Sequence, residues 1–217
     1  MVEKKISLFY KLLVLFSLLT GIVLNLVNTS SIIAILSYYT LQSNIVCFFT
    51  FFGTLILIFL KKDYRNGKIY YVIKGGVVIA IFITAIIYQI ALMPYGFQMD
   101  YNFGNRYLAN MLVHEISPTL VILDYFIFDC KGKFKWFYPF FWLFIPFFYV
   151  IYVYIYHLCG GRFFAIGGSR DFAYVFLDYN QIGYIGVAKF LIAMTIFILA
   201  ISYLLVLIDK KLGNLKK

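Results

Sequence analysis

Six uninterrupted apolar runs, at roughly 7–27, 34–60, 69–93, 107–129, 137–157 and 185–208, take up most of a 217-residue chain. Each is long enough to carry a helix across about 30 Å of hydrocarbon, which takes about 20 residues. In lipid only helices and closed barrels satisfy every backbone polar group, and a barrel would need alternating ten-residue strands instead. The runs therefore predict an all-α polytopic membrane protein: six transmembrane helices in one domain over residues 1–217. Composition agrees, with 64% hydrophobic and 13% charged residues, against about half and a quarter in soluble domains. Short connections leave no room among these residues for a separate soluble domain.

The net charge of +10 would suggest nucleic acid as partner in a soluble protein. Here the cations cluster beside the apolar runs, the pattern that sets membrane orientation, and no nucleic-acid partner is expected. Lys4 and Lys5, then Lys61, Lys62, Arg65 and Lys68, then Lys131, Lys133 and Lys135, and finally Lys210, Lys211, Lys216 and Lys217 fall on one side. Arg106, Arg162 and Arg170 fall on the other. Thirteen against three predicts that both termini are cytoplasmic. The charged start followed by an apolar run lacks a small-residue cleavage site and is read as a retained first helix. Cys47, Cys130 and Cys159 sit beside different spans and form no CxxC pair, so they are read as packing residues, with no metal site and no cofactor expected. The Lys-, Ile-, Phe-, Tyr- and Asn-rich composition is compatible with an AT-rich bacterial genome, and a bacterial cytoplasmic membrane is the expected location.

The connections on the outer side, 94–106 and 158–184, are rich in Gly, Asn, Tyr and Asp. The longer one, with Gly160, Gly161, Gly167 and Gly168 before Tyr174 to Asp178, is too apolar for a free linker. It is expected to fold back over the outer face as a lid or re-entrant segment.

Polar residues inside a membrane are costly, so their positions carry functional information. In the second run, Thr40, Ser43, Asn44, Cys47 and Thr54 share one helical face of about 100°. In the fourth, Asn110, His114, Ser117 and Asp124 share about 80°. Each stripe reads either as a seam between helices or as a cavity wall. Glu115 points away from His114, and Pro118 frees a backbone carbonyl one turn earlier, near that histidine. The chain has two histidines, His114 and His157. The topology brings them, with Thr40, to one depth. Tyr149, Tyr152 and Tyr156 follow at helical spacing on the fifth run, either as an interface belt or as a binding wall.

A threonine hydroxyl needs a base before it can attack, and a neutral imidazole from another helix is the natural one. Thr40 with His114 would make a hydrolytic pair reached from lipid. His157 at the loop mouth would bind the ester's polar end or orient the loop. GxSxG, HExxH, Walker and CxxC patterns are all missing, which weighs against serine hydrolases, zincins and nucleotide-driven proteins. Two other readings stay open: a transporter or channel using Asp124 and the polar face of the fourth span, and a haem carrier ligated by His114 and His157.

Three motifs carry a family resemblance: Tyr38-Tyr39-Thr40-Leu41-Gln42-Ser43-Asn44 opening the second helix, His114 with Pro118 and Asp124 in the fourth, and Tyr174-Val175-Phe176-Leu177-Asp178 before the sixth. With these, the chain resembles the bacterial branch of the androgen-induced protein and androgen-dependent TFPI-regulating protein family along nearly its whole length. The resemblance implies six spans and a threonine hydrolase acting on fatty acid esters of hydroxy fatty acids. It makes Thr40 and His114 the counterparts of the family's catalytic pair. It allows Asn44 to donate to an oxyanion, the other reading being a seam amide, and Ser43, Asn110, Ser117, His157, Tyr152 and Tyr156 join it as expected substrate-binding or oxyanion residues. Gln42-Ser43-Asn44 and the position of the proline after His114 depart from the animal pattern, and both departures bear on substrate identity.

Overall fold

The computed structural model describes residues 2–62, 64–65, 67–92, 103–165 and 168–215. Residues 94–102 of the first outer connection, Gly167, Lys216 and Lys217 lie outside them, as does the side chain of Arg106. Among the described residues six helices are long and apolar enough to cross a membrane: Lys5–Val27, Tyr39–Phe59, Lys68–Ile90, Tyr107–Phe128, Tyr138–Leu158 and Tyr179–Asn214. They are called the first to sixth spans below. The chain is an all-α integral membrane protein.

Where the helices depart from the apolar runs, the backbone supplies the reason. The second span begins at Tyr39 rather than 34, because Ile32–Leu36 folds as a separate short helix whose cap, Ser31, accepts a hydrogen bond from the Ala34 amide. The fifth is interrupted at Leu143, between Tyr138–Trp142 and Phe144–Leu158. Pro146 has no N–H to donate, and its ring would strike the Trp142 carbonyl in a regular helix. The sixth starts earlier, at Tyr179, but kinks at Gly183 (φ 71°, ψ 163°). That conformation suits only glycine, so the continuous helix starts next to the expected 185.

The first four spans pack on one another around Val14, Leu18, Cys47, Phe51, Val77, Ile81 and Val121. An aromatic core including Tyr125, Phe134, Trp142, Tyr149, Phe163, Phe172 and Tyr174 joins the third and fourth spans to the fifth and sixth. The glycine-rich connection folds over one end of the bundle. Phe163–Ala165 pairs antiparallel with Gly168–Arg170, a small hairpin beyond the all-helix expectation, and a 3-10 turn follows at Val175–Leu177. Phe163, Phe172, Tyr174 and Leu177 are buried beneath this cap, with Phe163 against the ring of Tyr38.

The opposite end, which carries the basic connections, is held by buried charge. Asp124 accepts from Lys11 Nζ at 2.7 Å and from Lys74 Nζ at 2.6 Å, and Lys74 also lies 3.4 Å from Asp129. All four side chains are at most 2% exposed. Two cations and two anions make the cluster neutral, which is what allows it to stand in an apolar interior. Asp209 of the sixth span accepts from the Tyr125 hydroxyl and from the Gly132 and Phe134 amides, closing that end.

Candidate active site

Thr40 is the second residue of the second span's helix, on its inward face, and His114 comes from the fourth span. Both are buried, and Thr40 Oγ1 lies 3.1 Å from His114 Nε2. The other ring nitrogen, Nδ1, is 3.0 Å from the Asn110 carbonyl. A carbonyl only accepts, so Nδ1 carries the proton and Nε2 is left to accept the Thr40 hydroxyl proton. The tautomer a general base needs is therefore set by the histidine's own helix.

His114 owes its position to a local fault in that helix. Leu112–Ile116 forms a π turn, and the Ser117 amide donates to Leu112 five residues back. Pro118 cannot donate to His114 in the regular pattern, which favours the wider turn here, and such turns concentrate at functional positions. A second π turn, Tyr88–Leu92, ends the third span and lays the Tyr88 ring on the imidazole at 3.9 Å between centroids and 17° between planes. Gly21 lets the first span approach this region, since a Cβ there would lie 2.9 Å from Val113 Cγ1. The imidazole is thus fixed by a carbonyl on one edge and a phenol ring on one face.

In front of Thr40 lies an apolar cavity of about 720 Å³, within the about 300–1,000 Å³ usual for small-molecule sites. Its inner wall includes Tyr39, Thr40, Thr84, Tyr149 and Tyr174, while Phe144 and Phe147 of the fifth span and Ile192 and Ile196 of the sixth line it further out. Those last four are exposed on the side of the bundle. The cavity therefore opens on the side of the bundle rather than at its ends. Burial pushes the Tyr174 hydroxyl well above the ordinary phenol range, with the Thr40 side chain close by, so it stays protonated as a donor.

The other expected residues take different places. Asn44 donates to the Thr40 carbonyl at 2.8 Å and to the Val113 carbonyl at 3.0 Å. Both amide protons are used, so Asn44 ties the second span to the fourth and has none left for an oxyanion. Ser43 bonds the Thr84 hydroxyl at 2.7 Å below the pair, and Ser117 bonds Ser17 of the first span at 2.8 Å. Asn110 contributes its carbonyl rather than its side chain. His157 meets the Tyr179 hydroxyl at 3.2 Å and packs on Phe172. Tyr152 bonds Ser37, and Tyr156 bonds the Arg162 carbonyl. His157 and Tyr156 thus hold the cap, Tyr152 ties the fifth span to the entry of the second, and among the tyrosines of the fifth span it is Tyr149 that lines the cavity. Asp124 has both oxygens engaged by lysines and is 0% exposed.

Sequence reasoning missed Tyr88, Tyr174 as a neighbour of Thr40, and the buried Lys11 and Lys74. The lysines had a signal, since each is a charge within an apolar run facing no water. The stacking of Tyr88 had none, because it depends on how two π turns meet. The chain matches no protein-family model, no curated protein and no solved structure.

Proposed function

We propose that this protein is an integral-membrane hydrolase of lipid-like carboxylic esters, with Thr40 as nucleophile and His114 as base and then acid. The observation that supports this best is the Thr40–His114 hydrogen bond, with the tautomer fixed by Asn110, at the inner end of an apolar cavity open to the lipid-facing side. An acyl chain lying in the cavity brings its ester carbonyl to Oγ1. The Thr40 proton passes to Nε2 as the Oγ1–carbon bond forms. Nε2–H then protonates the departing alkoxide, leaving an acyl-threonine. Water attacks that ester with its proton going to Nε2, and collapse releases the acid and restores the Thr40 hydroxyl.

The resemblance to the androgen-induced protein and androgen-dependent TFPI-regulating protein family points to fatty acid esters of hydroxy fatty acids as the substrate class. The thirteen-to-three cation asymmetry supports cytoplasmic termini and a pair in the outer half of the membrane, which we read as a bacterial cytoplasmic membrane. The test is a fluorophosphonate probe on the purified protein. Labelling of Thr40, lost in Thr40→Ala and accompanied by turnover of p-nitrophenyl decanoate, is the expected result. Absence of both labelling and turnover in folded protein refutes the hydrolase reading.

A further inference from the structure

An ester attacked by Thr40 develops negative charge on its carbonyl oxygen, and that charge needs donors already in place. Asn44 cannot serve, because its protons are held by two carbonyls. Three other donors converge on the cavity wall. The Tyr149 hydroxyl is buried and makes no hydrogen bond of good geometry, a state it shares with the Ser7, Tyr71 and Ser202 hydroxyls, but of these four residues Tyr149 is the one that borders the cavity. The Tyr174 hydroxyl stands near both Tyr149 and the Thr40 side chain. The Tyr39 amide belongs to the first turn of the second span's helix, where N–H groups have no acceptor within the helix. The cap residue Tyr38 gives that turn no side-chain hydrogen bond. The amide lies close to both tyrosine hydroxyls, and Tyr39, Thr40, Tyr149 and Tyr174 all border the same cavity.

We propose that the Tyr149 and Tyr174 hydroxyls and the Tyr39 backbone N–H form the oxyanion hole of this site. The assignment rests on the hydrolase reading. When Oγ1 bonds to the carbonyl carbon, the C=O π pair moves onto oxygen, and these donors hold that oxygen until the pair returns and expels the alkoxide. They serve the second tetrahedral intermediate, formed when water attacks the acyl-threonine, in the same way. Beside Tyr174 and the Tyr39 amide but with no well-formed hydrogen bond to either, the Tyr149 hydroxyl is left open for a partner that exists only during the reaction.

The experiment uses the full chain in nanodiscs with p-nitrophenyl decanoate, and compares wild type with Tyr149→Phe, Tyr174→Phe, Thr40→Ala and Tyr10→Phe. Tyr149→Phe removes an oxygen without a hydrogen bond, so its melting temperature is expected to stay level or rise. Its kcat is expected to fall roughly 100- to 1,000-fold with KM nearly unchanged, as for other lost oxyanion donors. Tyr174→Phe also loses kcat. Tyr10→Phe, whose hydroxyl bonds the Leu120 carbonyl at the far end of the bundle, retains turnover. Wild-type kcat in Tyr149→Phe overturns the hole, and so does a kcat loss matched by a lower melting temperature or a raised KM. Full turnover in Thr40→Ala defeats the hydrolase reading itself, a separate outcome. As a second variant, 3,5-difluorotyrosine at position 149 keeps ring and hydroxyl but is a more acidic phenol. With the donor back in place it is expected to restore kcat toward wild type, and a kcat as low as that of Tyr149→Phe overturns the assignment.

Discussion

Replacing Asp124 by Asn would remove the anion shared by Lys11 and Lys74 while keeping the side chain's shape. With Nζ–O distances of 2.7 and 2.6 Å, each contact carries a gross attraction of about 6 kcal/mol at an effective dielectric of about 20. Desolvation of the charges offsets most of that in the intact protein, so the loss exceeds what the cluster contributes over an apolar core. The asparagine would leave Lys11, Lys74 and Asp129 with net charge +1 in the bundle and turn its own N–H groups toward an ammonium. Breaking a buried pair in this way costs about 3–5 kcal/mol. For a chain of this size that corresponds to roughly 6–20 °C of melting temperature, on the calibration from soluble domains. Thermal unfolding in one detergent, followed by intrinsic fluorescence, reads the shift. Ester turnover per folded molecule should stay near wild type, because Asp124 lies ten residues, roughly 15 Å of helix, from His114. A melting temperature within about 2 °C of wild type would refute the clamp. Normal stability with abolished turnover would give Asp124 a role in the chemistry instead.

Four further outcomes are expected. Thr40→Ala and His114→Ala should each abolish hydrolysis, and the double variant should lose little more than either, because residues acting as one unit are non-additive; additive losses in single-turnover assays would separate the pair. Activity should fall on acidification through one titration, since Nε2 must be unprotonated to accept the Thr40 proton, and His157→Gln should keep that limb because His157 bonds Tyr179 outside the cavity; disappearance of the limb in His157→Gln would move the base to the fifth span. Tyr88→Leu should lower kcat by about tenfold or less by freeing the imidazole face it covers, consistent with about 0.5–1.5 kcal/mol for an aromatic pair; an unchanged kcat would make the stacking incidental. Reporter fusions should place both termini in the cytoplasm, and a periplasmic signal from either would reverse the orientation.

Span number and helical class were legible in the sequence because each depends on local composition: a run of about 20 apolar residues has few stable states in lipid other than a helix. The polar stripes were legible too, since helical periodicity alone puts Thr40 with Asn44, and His114 with Ser117, on common faces. Which partner each polar group would find was not, because that is a property of the neighbouring helix. Thr40 faces His114 across the bundle, whereas Asn44, one turn along the same stripe, is consumed by the Val113 and Thr40 carbonyls. His157 was as scarce a residue as His114, yet tertiary packing turned it toward Tyr179 and the cap. The tyrosines of the fifth span divide in the same way. One helical period spaced them, but only the packing of the cap, the second span and the sixth decided that Tyr149 faces the cavity while Tyr152 and Tyr156 hold the end of the bundle. Apolar burial is non-directional and is written residue by residue along the chain. Hydrogen bonds need a donor and an acceptor within about 3 Å at a favourable angle, and only the assembled helices supply that.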